Sequence, residues 1–587
     1  MLKPRVPDPE NGRLGVSEVA ILTIAAALLV ILIENGTNIV NRSLLHRING
    51  ATTGFLWIVP LFYGLVFGML AIALMVVTRV LSRQGGVRLV VVCSVSVAAF
   101  SLLLLVFYAK VHQWALLLFA LGVGTQAGRL AYRHTGRVLR AARAFTLVAA
   151  PLVLIPALGN PPLQRWLERR ELASLVPARN GAPNVLLIIL DTVRAASLSL
   201  YGHDYPTTPN IDRMASDAVV FDRAYSTTSW TLPSHAGMFT GYYPQELTAD
   251  WVIPFEGGQK TLAEIFRDAG YQTGGFVSNL FYTQESSGLA RGFNHYEDYL
   301  HTPGQLRRAT ALGQFLDTWD NKLKPARPTS ARKNGRTVST QFLTWLSGVE
   351  ARPFFAFLNY FDAHQPYLAP PDLMPRSSSG RLGERYEAAI TSLDREIAMI
   401  VDSLRHRGVL ENTLIIITSD HGEQLGEHGL RGHGNSLYEA SLHVPLVLIF
   451  GDKVPGIRVT EPVSLRDLPQ TILALAGQDE RVPGVSLVPL FGPGADSTFR
   501  PSPILFHIRK GIRSPPEEPI SRGDMTSLIA DTLHFIVNGD GKEELYALNQ
   551  DLLEANNLSA DPAAQGDLNR MRGLLREALK LSSSSLR

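Results

Sequence analysis

The chain has 587 residues, a formal net charge of +3 and a single cysteine, Cys93. A net charge this small gives no reason to expect a nucleic-acid partner, and one cysteine excludes an internal disulfide or a multi-cysteine metal site. The length allows several domains. Residues 16–159 are overwhelmingly apolar, whereas the remainder has the composition of a globular enzyme.

Five apolar runs in the first 160 residues predict five membrane-spanning helices. The second and third are uncharged for more than ~20 residues, which is enough to cross a hydrocarbon core of ~30 Å. A signal peptide is the alternative for the first run, but further apolar runs follow it without a convincing small-residue cleavage site. The runs cover residues 16–33, 55–78, 89–109, 114–128 and 144–159.

The basic residues of this region orient the predicted spans. Lysine and arginine are concentrated before the first run, between the second and third, and between the fourth and fifth. The positive-inside rule therefore places the N-terminus in the cytoplasm, and five spans leave everything after residue 159 outside. We expect an integral protein of a bacterial-type plasma membrane with an extracytoplasmic, or periplasmic, catalytic domain. The basic linker at 161–183 is either an interfacial helix or a solvated connector.

Three continuous apolar runs in the outer region predict strands that are buried on both faces of a sheet. They cover residues 184–190, 353–360 and 413–418. Helical spacing of apolar residues, clearest over 384–407, predicts helices on both faces of a mostly parallel sheet. A hairpin over 533–548 and a terminal helix over 561–581 predict a small C-terminal α+β subdomain. Residues 302–350 indicate only helices with a loop near 325–335.

Each of the three strands is followed by side chains that can bind metal ions: Asp191, Asp362 with His364, and Asp420 with His421. The carboxyl ends of parallel strands meet at one edge of an open α/β sheet, where ligands bind. Aspartate and histidine together suit a divalent ion, with Zn²⁺ or Mn²⁺ expected and Ca²⁺ or Mg²⁺ as alternatives.

Two further residues, a histidine and an asparagine, are candidate site residues near this edge. His433 follows His421 by twelve residues and is flanked by glycines, so it is either a polar loop residue or a further site residue. Asn279 ends a predicted strand over 271–278. It is either a turn residue or a hydrogen-bond donor to an oxyanion.

Thr231 lies in a segment, residues 229–241, where Pro233 and Gly241 predict a short helix over 234–240. A residue just before a helix N-terminus lies beside free amide groups, which favour an anion. The threonine hydroxyl is therefore either a plain N-cap or a nucleophile that attacks a phosphoryl or sulfuryl centre.

The order of several short motifs resembles the sulfatase branch of the alkaline phosphatase superfamily, over residues 184–560. The resemblance implies an alkaline-phosphatase-like αβα sandwich with Asp191, Asp420 and His421 as metal ligands and Thr231 as nucleophile and fourth ligand. His364 and His433 would contact the transferred group. The motifs are 184–191, 201–202, 208–212, 231–241, 364–367, 419–423, 444–446 and 544–548. The expected domains are a membrane domain at 1–160, the linker at 161–183, a catalytic domain at 184–455 and the C-terminal subdomain at 456–587.

The nucleophile departs from the sulfatase pattern. Sulfatases carry C-x-P-S-R or S-x-P-S-R, whose first residue is oxidised to formylglycine, whereas this chain has Thr231 and His235 at those positions. Sulfatases also have paired aspartates after the first strand, where this chain has Asp191 followed by Thr192. A threonine nucleophile resembles instead the phosphoethanolamine transferases, the lipoteichoic acid synthases and the nucleotide pyrophosphatase/phosphodiesterases. The first two also carry five transmembrane helices.

We therefore expect a membrane-anchored, metal-dependent enzyme that transfers or hydrolyses a phospho group of lipid or glycan substrates in the cell envelope. Its surroundings are membrane lipids, and no nucleic acid is involved. One alternative is a sulfuric or phosphoric ester hydrolase that works without formylglycine. Another is a degenerate, non-catalytic envelope assembly protein, which would have no need of the four polar residues Asp191, Thr231, Asp420 and His421.

Overall fold

The computed structural model describes residues 13–45, 54–108, 110–299, 306–307, 309–323, 332–349, 352–374, 382–492, 496, 498–499, 503–511 and 514–584. The chain divides into two compact units, which are described separately. The first contains residues 1–169 and 299–331, and the second contains residues 170–298 and 332–587.

Five helices of the first unit are long and apolar enough to cross a membrane. A sixth helix, from a distant part of the sequence, also belongs to this unit. The five are α1 (Val16–Ser43), α2 (Phe55–Val77), α3 (Arg83–Phe107), α4 (Gln113–Arg133) and α5 (Thr135–Ser174), and the sixth is α9 (Ala311–Leu323).

Four of these helices, α1, α3, α4 and α5, are longer than the apolar runs that predicted them. α1 continues to Ser43, and α5 begins at Thr135 and runs on to Ser174, through much of the expected linker. The apolar run marks only the lipid-facing part of a helix, whereas the backbone hydrogen bonds continue into polar flanks. The arginine-rich segment between the fourth and fifth runs is therefore helical on both sides of His134.

An eight-stranded sheet forms the centre of the second unit, in the order β12-β2-β11-β7-β1-β6-β4-β5. β1 is parallel to both of its neighbours, whereas β11 is antiparallel to β7. The prediction of a mostly parallel sheet is thus confirmed. Every residue of β1, β6 and β7 is buried, as expected for strands covered on both faces. The strands are β1 (Asn184–Leu190), β2 (Val219–Phe221), β4 (Gln272–Val277), β5 (His295–Glu297), β6 (Phe354–Tyr360), β7 (Thr413–Thr418), β11 (Leu446–Ile449) and β12 (Ile457–Val459).

Alternating side chains of β6 show that helices cover both faces of this sheet. Leu358 packs in one core cluster with Phe342 of α10 and Leu393 of α11. Phe355 and Phe357 point the other way and pack on aromatic residues of α8 and α7. The αβα arrangement is thus confirmed. The helices are α6 (Pro209–Met214), α7 (Thr231–Thr240), α8 (Leu262–Asp268), α10 (Gly335–Leu346), α11 (Leu382–His406), α12 (Glu439–Leu442) and α13 (Leu468–Leu475).

A four-stranded antiparallel sheet follows near the C-terminus, in the order β14-β15-β16-β17. Its last two strands are the predicted hairpin, and α14 (Gln565–Ser584) packs on it through Leu568 and Met571. The strands are β14 (Ile504–Ile508), β15 (Met525–Ala530), β16 (Leu533–Val537) and β17 (Glu543–Ala547). Two small sheets complete the unit, formed by β3 (Ala224–Tyr225), β10 (His443–Val444) and β13 (Val463–Ser464), and by β8 (Gln424–Leu425) and β9 (Arg431–Gly432).

Candidate active site

Polar residues that follow β1 and β7 meet at one edge of the large sheet. The two strands are parallel and in register, with Ile189 opposite Thr418, so Asp191 and Asp420 emerge side by side. Single ligand atoms of Asp191, Asp420 and His421 lie within 4.8 Å of one another, and all three side chains are buried. The structure therefore brings together the ends of β1 and β7, two of the three strand ends that the sequence predicted to meet.

Hydrogen bonds hold each of the two carboxylates through only one of its oxygens. Asp191 Oδ1 and Asp420 Oδ2 are buried without a hydrogen-bond partner among the described residues, and we call such atoms open oxygens. The other oxygen of each is fixed by donors: Asn279 Nδ2 (3.1 Å) and Asn359 Nδ2 (3.3 Å) for Asp191, and the amide of Thr192 (3.1 Å) for Asp420. A divalent cation fits this arrangement, since oriented carboxylates with a free lone pair are what it binds.

The electrostatics of these groups favour a cation. Burial raises the pKa of Asp191 well above its ordinary value, and the neighbouring Asp420 adds to the rise. Burial likewise raises the pKa of Asp420. Burial lowers the pKa of His421 to about 3, with a contribution from His433, so this imidazole is neutral. Two carboxylates that resist buried negative charge and a neutral imidazole are all stabilised by a positive ion between them.

Thr231 is the first residue of α7, with Trp230 as the N-cap, whereas the sequence predicted a helix that begins only at 234. Proline is tolerated throughout the first helical turn, because amide groups there have no helical acceptor, so Pro233 fixes the start only to within a turn. Thr231 is 1% exposed and its Oγ1 lies 3.2 Å from His421 Nε2. The hydroxyl is therefore at both the helix N-terminus and the metal-competent cluster.

The rest of the Thr231 motif braces Asp420. Ser234 Oγ donates to the Asp420 carbonyl at 2.6 Å. His235 Nδ1 lies 2.8 Å from the Thr231 carbonyl and 3.6 Å from Asp420 Oδ2, and the side chain is fully buried. Burial lowers the pKa of His235, so it stands as a neutral group where sulfatases have arginine. Sequence reasoning noted His235 only as a departure and gave it no role.

Three histidine rings lie side by side at the mouth of this cluster. The ring centroid of His433 lies 4.5 Å from that of His421 and 4.9 Å from that of His364. His433 Nδ1 lies 2.7 Å from Glu423 Oε2, and the other oxygen of Glu423 accepts from Tyr367 Oη at 2.8 Å. The structure thus brings His364 and His433 to His421. Glu423 was missed as a site residue, although it lies two residues after His421.

Asn279 and Asp362 are placed differently from each other. Asn279 donates to Asp191, and its Oδ1 accepts from the amides of Phe281 and Tyr282, so it orients a carboxylate and also forms a turn. Asp362 is directed to the amide of Gly335 instead, at 3.1 Å. It is not part of the potential ligand group found among the described residues. The chain turns away after β6, and Asn359 within that strand reaches Asp191.

Thr192 has a left-handed backbone conformation with φ of 67°. This conformation is unusual for a β-branched residue and costs on the order of 1–3 kcal/mol, so the surroundings must enforce it. Its amide donates to Asp420, and its carbonyl accepts from Tyr386 Oη at 2.6 Å. The turn that follows β1 is therefore shaped to direct an amide at a carboxylate of the site.

Arg332 is a second residue that sequence reasoning missed, because it lies in the segment that showed no clear pattern. Its guanidinium donates to the carbonyls of Phe361 (3.2 Å), His364 (2.9 Å) and Gln365. It also lies over the Phe361 ring, which stacks on His364 with centroids 4.1 Å apart. Burial lowers the pKa of Arg332 to about 10. One buried cation thus holds the loop that carries His364.

Comparisons with known proteins agree with this fold. The sulfatase family profile matches residues 183–478. N-acetylgalactosamine-6-sulfatase of Canis lupus familiaris is 26% identical over 365 residues, covering 54% of this chain and 67% of the relative. Arylsulfatase A of Homo sapiens is 27% identical over 361 residues, with the same shares. Phosphonate monoester hydrolase of Agrobacterium radiobacter has a TM-score of 0.54 at 20% identity and covers 68% of this chain and 96% of its own.

An α/β sandwich with a buried, metal-competent cluster at the carboxyl ends of its central strands defines a hydrolase of the alkaline phosphatase type. The family profile covers half of the chain, and the chain belongs to the sulfatase family. Enzymes of this family depend on a metal ion, and Asp191, Asp420 and His421 form the group able to hold one here.

Proposed function

We propose that this chain is a membrane-anchored, metal-dependent enzyme that transfers or hydrolyses a phospho group of a lipid or glycan substrate. The nucleophile is the Thr231 hydroxyl. The observation that carries the proposal is the position of Thr231 Oγ1, at the first residue of α7 and 3.2 Å from His421 Nε2. Free amides at a helix N-terminus and a metal-competent cluster both favour an anion beside that hydroxyl.

The metal ligands would be Asp191, Asp420 and His421, with Thr231 as the fourth. A bound divalent ion supplies positive charge that lowers the pKa of the hydroxyl and offsets the charge of the transferred oxyanion. Zn²⁺ or Mn²⁺ suits this mixed oxygen and nitrogen set, and Ca²⁺ or Mg²⁺ is the alternative.

The chain's own residues account for the proton transfers. As Thr231 Oγ1 forms a bond to phosphorus, its proton passes to the imidazole of His433 or His364. That imidazole gives the proton to the leaving alcohol oxygen as the bond from phosphorus to that oxygen breaks. A second alcohol or a water then attacks phosphorus and gives its proton to the same imidazole, which returns it to Thr231 Oγ1 as the bond from phosphorus to Thr231 breaks. Because Glu423 can only accept, His433 Nδ1 carries a hydrogen and Nε2 is left for this exchange.

The nature of the nucleophile favours phosphorus over sulfur. Threonine has a methyl group on Cβ and cannot become the aldehyde on which formylglycine chemistry depends. An ester on Thr231 can therefore be cleared only by a second attack at the transferred centre. Phosphoryl transfer proceeds readily by two such displacements, with a phospho-threonine between them.

Membrane placement completes the proposal. Five helices have the length and composition to span a bilayer, and the basic residues are concentrated in alternate loops between them. We place the N-terminus in the cytoplasm and the sulfatase-family domain on the outer side, beside lipid substrates of the envelope.

A second candidate is hydrolysis of a sulfate or phosphate ester with water as the sole acceptor. It is favoured by the names of the relatives, which include arylsulfatase A and a phosphonate monoester hydrolase. A non-catalytic role is disfavoured by the open oxygens of Asp191 and Asp420, since a scaffold would pair or replace them.

The test is acid quenching of the purified full chain during turnover of an aryl phosphodiester, followed by mass spectrometry of the Thr231 peptide. A phosphorus-containing adduct on Thr231 is expected, and it should be absent in Thr231→Ala. Addition of a lipid alcohol distinguishes transfer from hydrolysis. Turnover of a sulfate ester that leaves Thr231 unmodified and survives Thr231→Ala would show that the proposed nucleophile is wrong.

A further inference from the structure

Glu34 is a carboxylic acid within the first candidate membrane span, and it is 2% exposed. Carboxyl groups are costly in the interior of a membrane and persist there when they have partners or a role. Its Oε2 accepts a hydrogen bond from Tyr63 Oη of α2 at 2.6 Å. Its Oε1 accepts from the backbone amide of Ala311 at 2.7 Å. One of its two partners therefore comes from a segment almost 280 residues away in sequence.

Ala311 is the first residue of α9, so Glu34 caps the N-terminus of that helix. The first amides of a helix have no acceptor within it, and their partial positive charge favours an acidic side chain. The capping carboxyl group is here supplied by another helix, α1. The carboxyl group and the amide each provide the hydrogen-bond partner that the other lacks. Without this bond, both groups would be costly in apolar surroundings.

The apolar face of α9 packs on the same bundle. Leu312 is 8% exposed within a core cluster built from α1 to α5. Phe315 packs edge-on against Phe100 of α3 at 5.1 Å, and Trp319 packs against Trp114 of α4 at 5.8 Å. These contacts extend along two turns of α9. The helix is therefore seated by side chains as well as by its cap.

All of these contacts lie at one end of the bundle. Glu18, near the other end of α1, pairs with Arg83 at 2.7 Å and has Arg143 at 3.9 Å, so these two arginines of the predicted cytoplasmic loops lie at that end. Glu18 and Glu34 are separated by about 24 Å along the helix at a rise of about 1.5 Å per residue. Glu34 and α9 thus occupy the end that the positive-inside rule assigns to the outer face.

We infer that α9 is a sixth element of the membrane domain, held on the outer end of the five-helix bundle by Glu34. Residues 306–323 lie inside the range that matches the sulfatase family, so similarity alone would assign α9 to the catalytic domain. The Glu34 carboxyl group and the cap of α9 complete each other, and the bundle keeps a buried acid because α9 covers it. This inference does not depend on the reaction that the enzyme carries out.

The test measures how often α9 leaves the bundle. Leu312→Cys is introduced into a Cys93→Ala chain, which otherwise has no cysteine, and the purified full chain in detergent is treated with a water-soluble maleimide. The introduced thiol is covered when α9 is docked, so its labelling rate reports the undocked fraction. Glu34→Ala removes the acceptor of the Ala311 amide and of Tyr63 Oη, and the labelling rate should rise about tenfold.

Matched variants make the result specific. Glu18→Ala removes an acid from the same helix at the opposite end, and the labelling rate should stay at the parent value. Glu34→Gln should stay near the parent, since the amide can accept from Ala311 and donate to Tyr63 Oη. Tyr63→Phe removes one hydroxyl and should raise the rate about threefold.

Parent-like labelling in Glu34→Ala overturns the inference, as does an equal increase in Glu18→Ala. If Glu34→Ala does not accumulate as folded protein, Tyr63→Phe decides the matter: an unchanged rate in that variant contradicts the inference. Because labelling is independent of turnover, failure here is distinct from failure of the proposed reaction.

Discussion

Two buried clusters in the second unit contain acidic, imidazole and hydroxyl groups, and they differ in how their hydrogen bonds are satisfied. In the C-terminal sheet, His534 lies between Ser527 Oγ at 3.1 Å and Glu554 Oε1. The second oxygen of Glu554 accepts from the amide of Glu439 at 2.7 Å. At the candidate active site, two carboxylate oxygens have no such partner among the described residues.

This difference distinguishes the structural network of the C-terminal sheet from the candidate active site. The hydrogen bonds from Ser527 to His534 to Glu554 have the arrangement of a hydrolase triad. All three residues are nevertheless at most 2% exposed, and their polar side-chain atoms already have protein partners. Such a network stabilises a fold and offers nothing to a substrate. Asp191 and Asp420 are just as buried, but their open oxygens are placed so that they could bind a cation. Residue types alone would have indicated two catalytic centres.

Thr231→Ala should have the largest effect on activity. Loss of the hydroxyl, which is the proposed nucleophile, is expected to lower kcat/KM at least about a thousandfold. The melting temperature should change little, because alanine keeps Cβ and favours the helical conformation of α7. The measurement is turnover of aryl phosphate, phosphodiester and sulfate esters together with thermal unfolding. Thr231→Ser, which keeps a hydroxyl, should retain measurable activity. A Thr231→Ala enzyme of normal activity would contradict the assignment.

Removal of divalent ions should destabilise the active-site cluster. Stability conferred by a ligand at about one hundred times its Kd is about 2.7 kcal/mol, so dialysis against a chelator should lower the melting temperature by several degrees. Asp420→Asn should remove this dependence, whereas His534→Asn should leave it intact. The measurement is thermal unfolding with and without added metal. An unchanged melting temperature on chelation of the parent would contradict a cation at the open oxygens.

His534→Ala tests the other half of the comparison. The substitution leaves Ser527 Oγ and one oxygen of Glu554 without a partner and should lower the free energy of unfolding by about 2–4 kcal/mol. The activity of the folded fraction should stay within about twofold of the parent. Ser527→Ala, which removes only the end of the network, should cost less. A large loss of kcat in a well-folded His534→Ala enzyme would show that this cluster takes part in catalysis.

Much of the fold was predictable, because β1 and β7 are continuous apolar runs and polar residues follow directly after each strand. The convergence of Asp191, Asp420 and His421 follows from parallel register. Three features were not predictable. The start of α7 depends on which residue of a turn takes the N-cap position. The aim of Asp362 depends on where the chain goes after β6. The contacts of Arg332 and α9 join residues that no local pattern connects.

Glu423→Gln tests whether the histidines at the mouth of the site depend on an oriented acid. Glu423 is fully buried and holds His433 Nδ1, and the loss of such a partner typically costs about 10–100-fold in activity. We expect a fall of about 10–100-fold in kcat, with KM and metal content little changed. Tyr367→Phe removes the other hydrogen bond of Glu423 and should cost less. Equal kcat in Glu423→Gln and the parent would show that His433 needs no such orientation.

Asp362 is a third buried carboxyl group with an open oxygen. It therefore provides a test of whether an open oxygen alone is enough for a metal site. Burial raises the pKa of Asp362 to about 7 from an ordinary 3.8. The folded state therefore holds this proton more tightly than the unfolded state does. Stability contributed by the protonated group is full below pH 3.8 and is lost as the pH rises towards 7, so the ionised group opposes folding above that.

Asp362→Asn should therefore raise the free energy of unfolding by about 1–2 kcal/mol at about pH 8, and the gain should shrink as the pH is lowered towards about 5. The asparagine oxygen still accepts from the amide of Gly335, so the loop keeps its anchor. The measurement is thermal unfolding of metal-free and metal-loaded protein across this pH range. A gain that is the same with and without metal places Asp362 outside the metal site. If added metal instead stabilises the parent more than Asp362→Asn, a cation does bind at this carboxylate, and an open oxygen by itself is enough to mark a metal site.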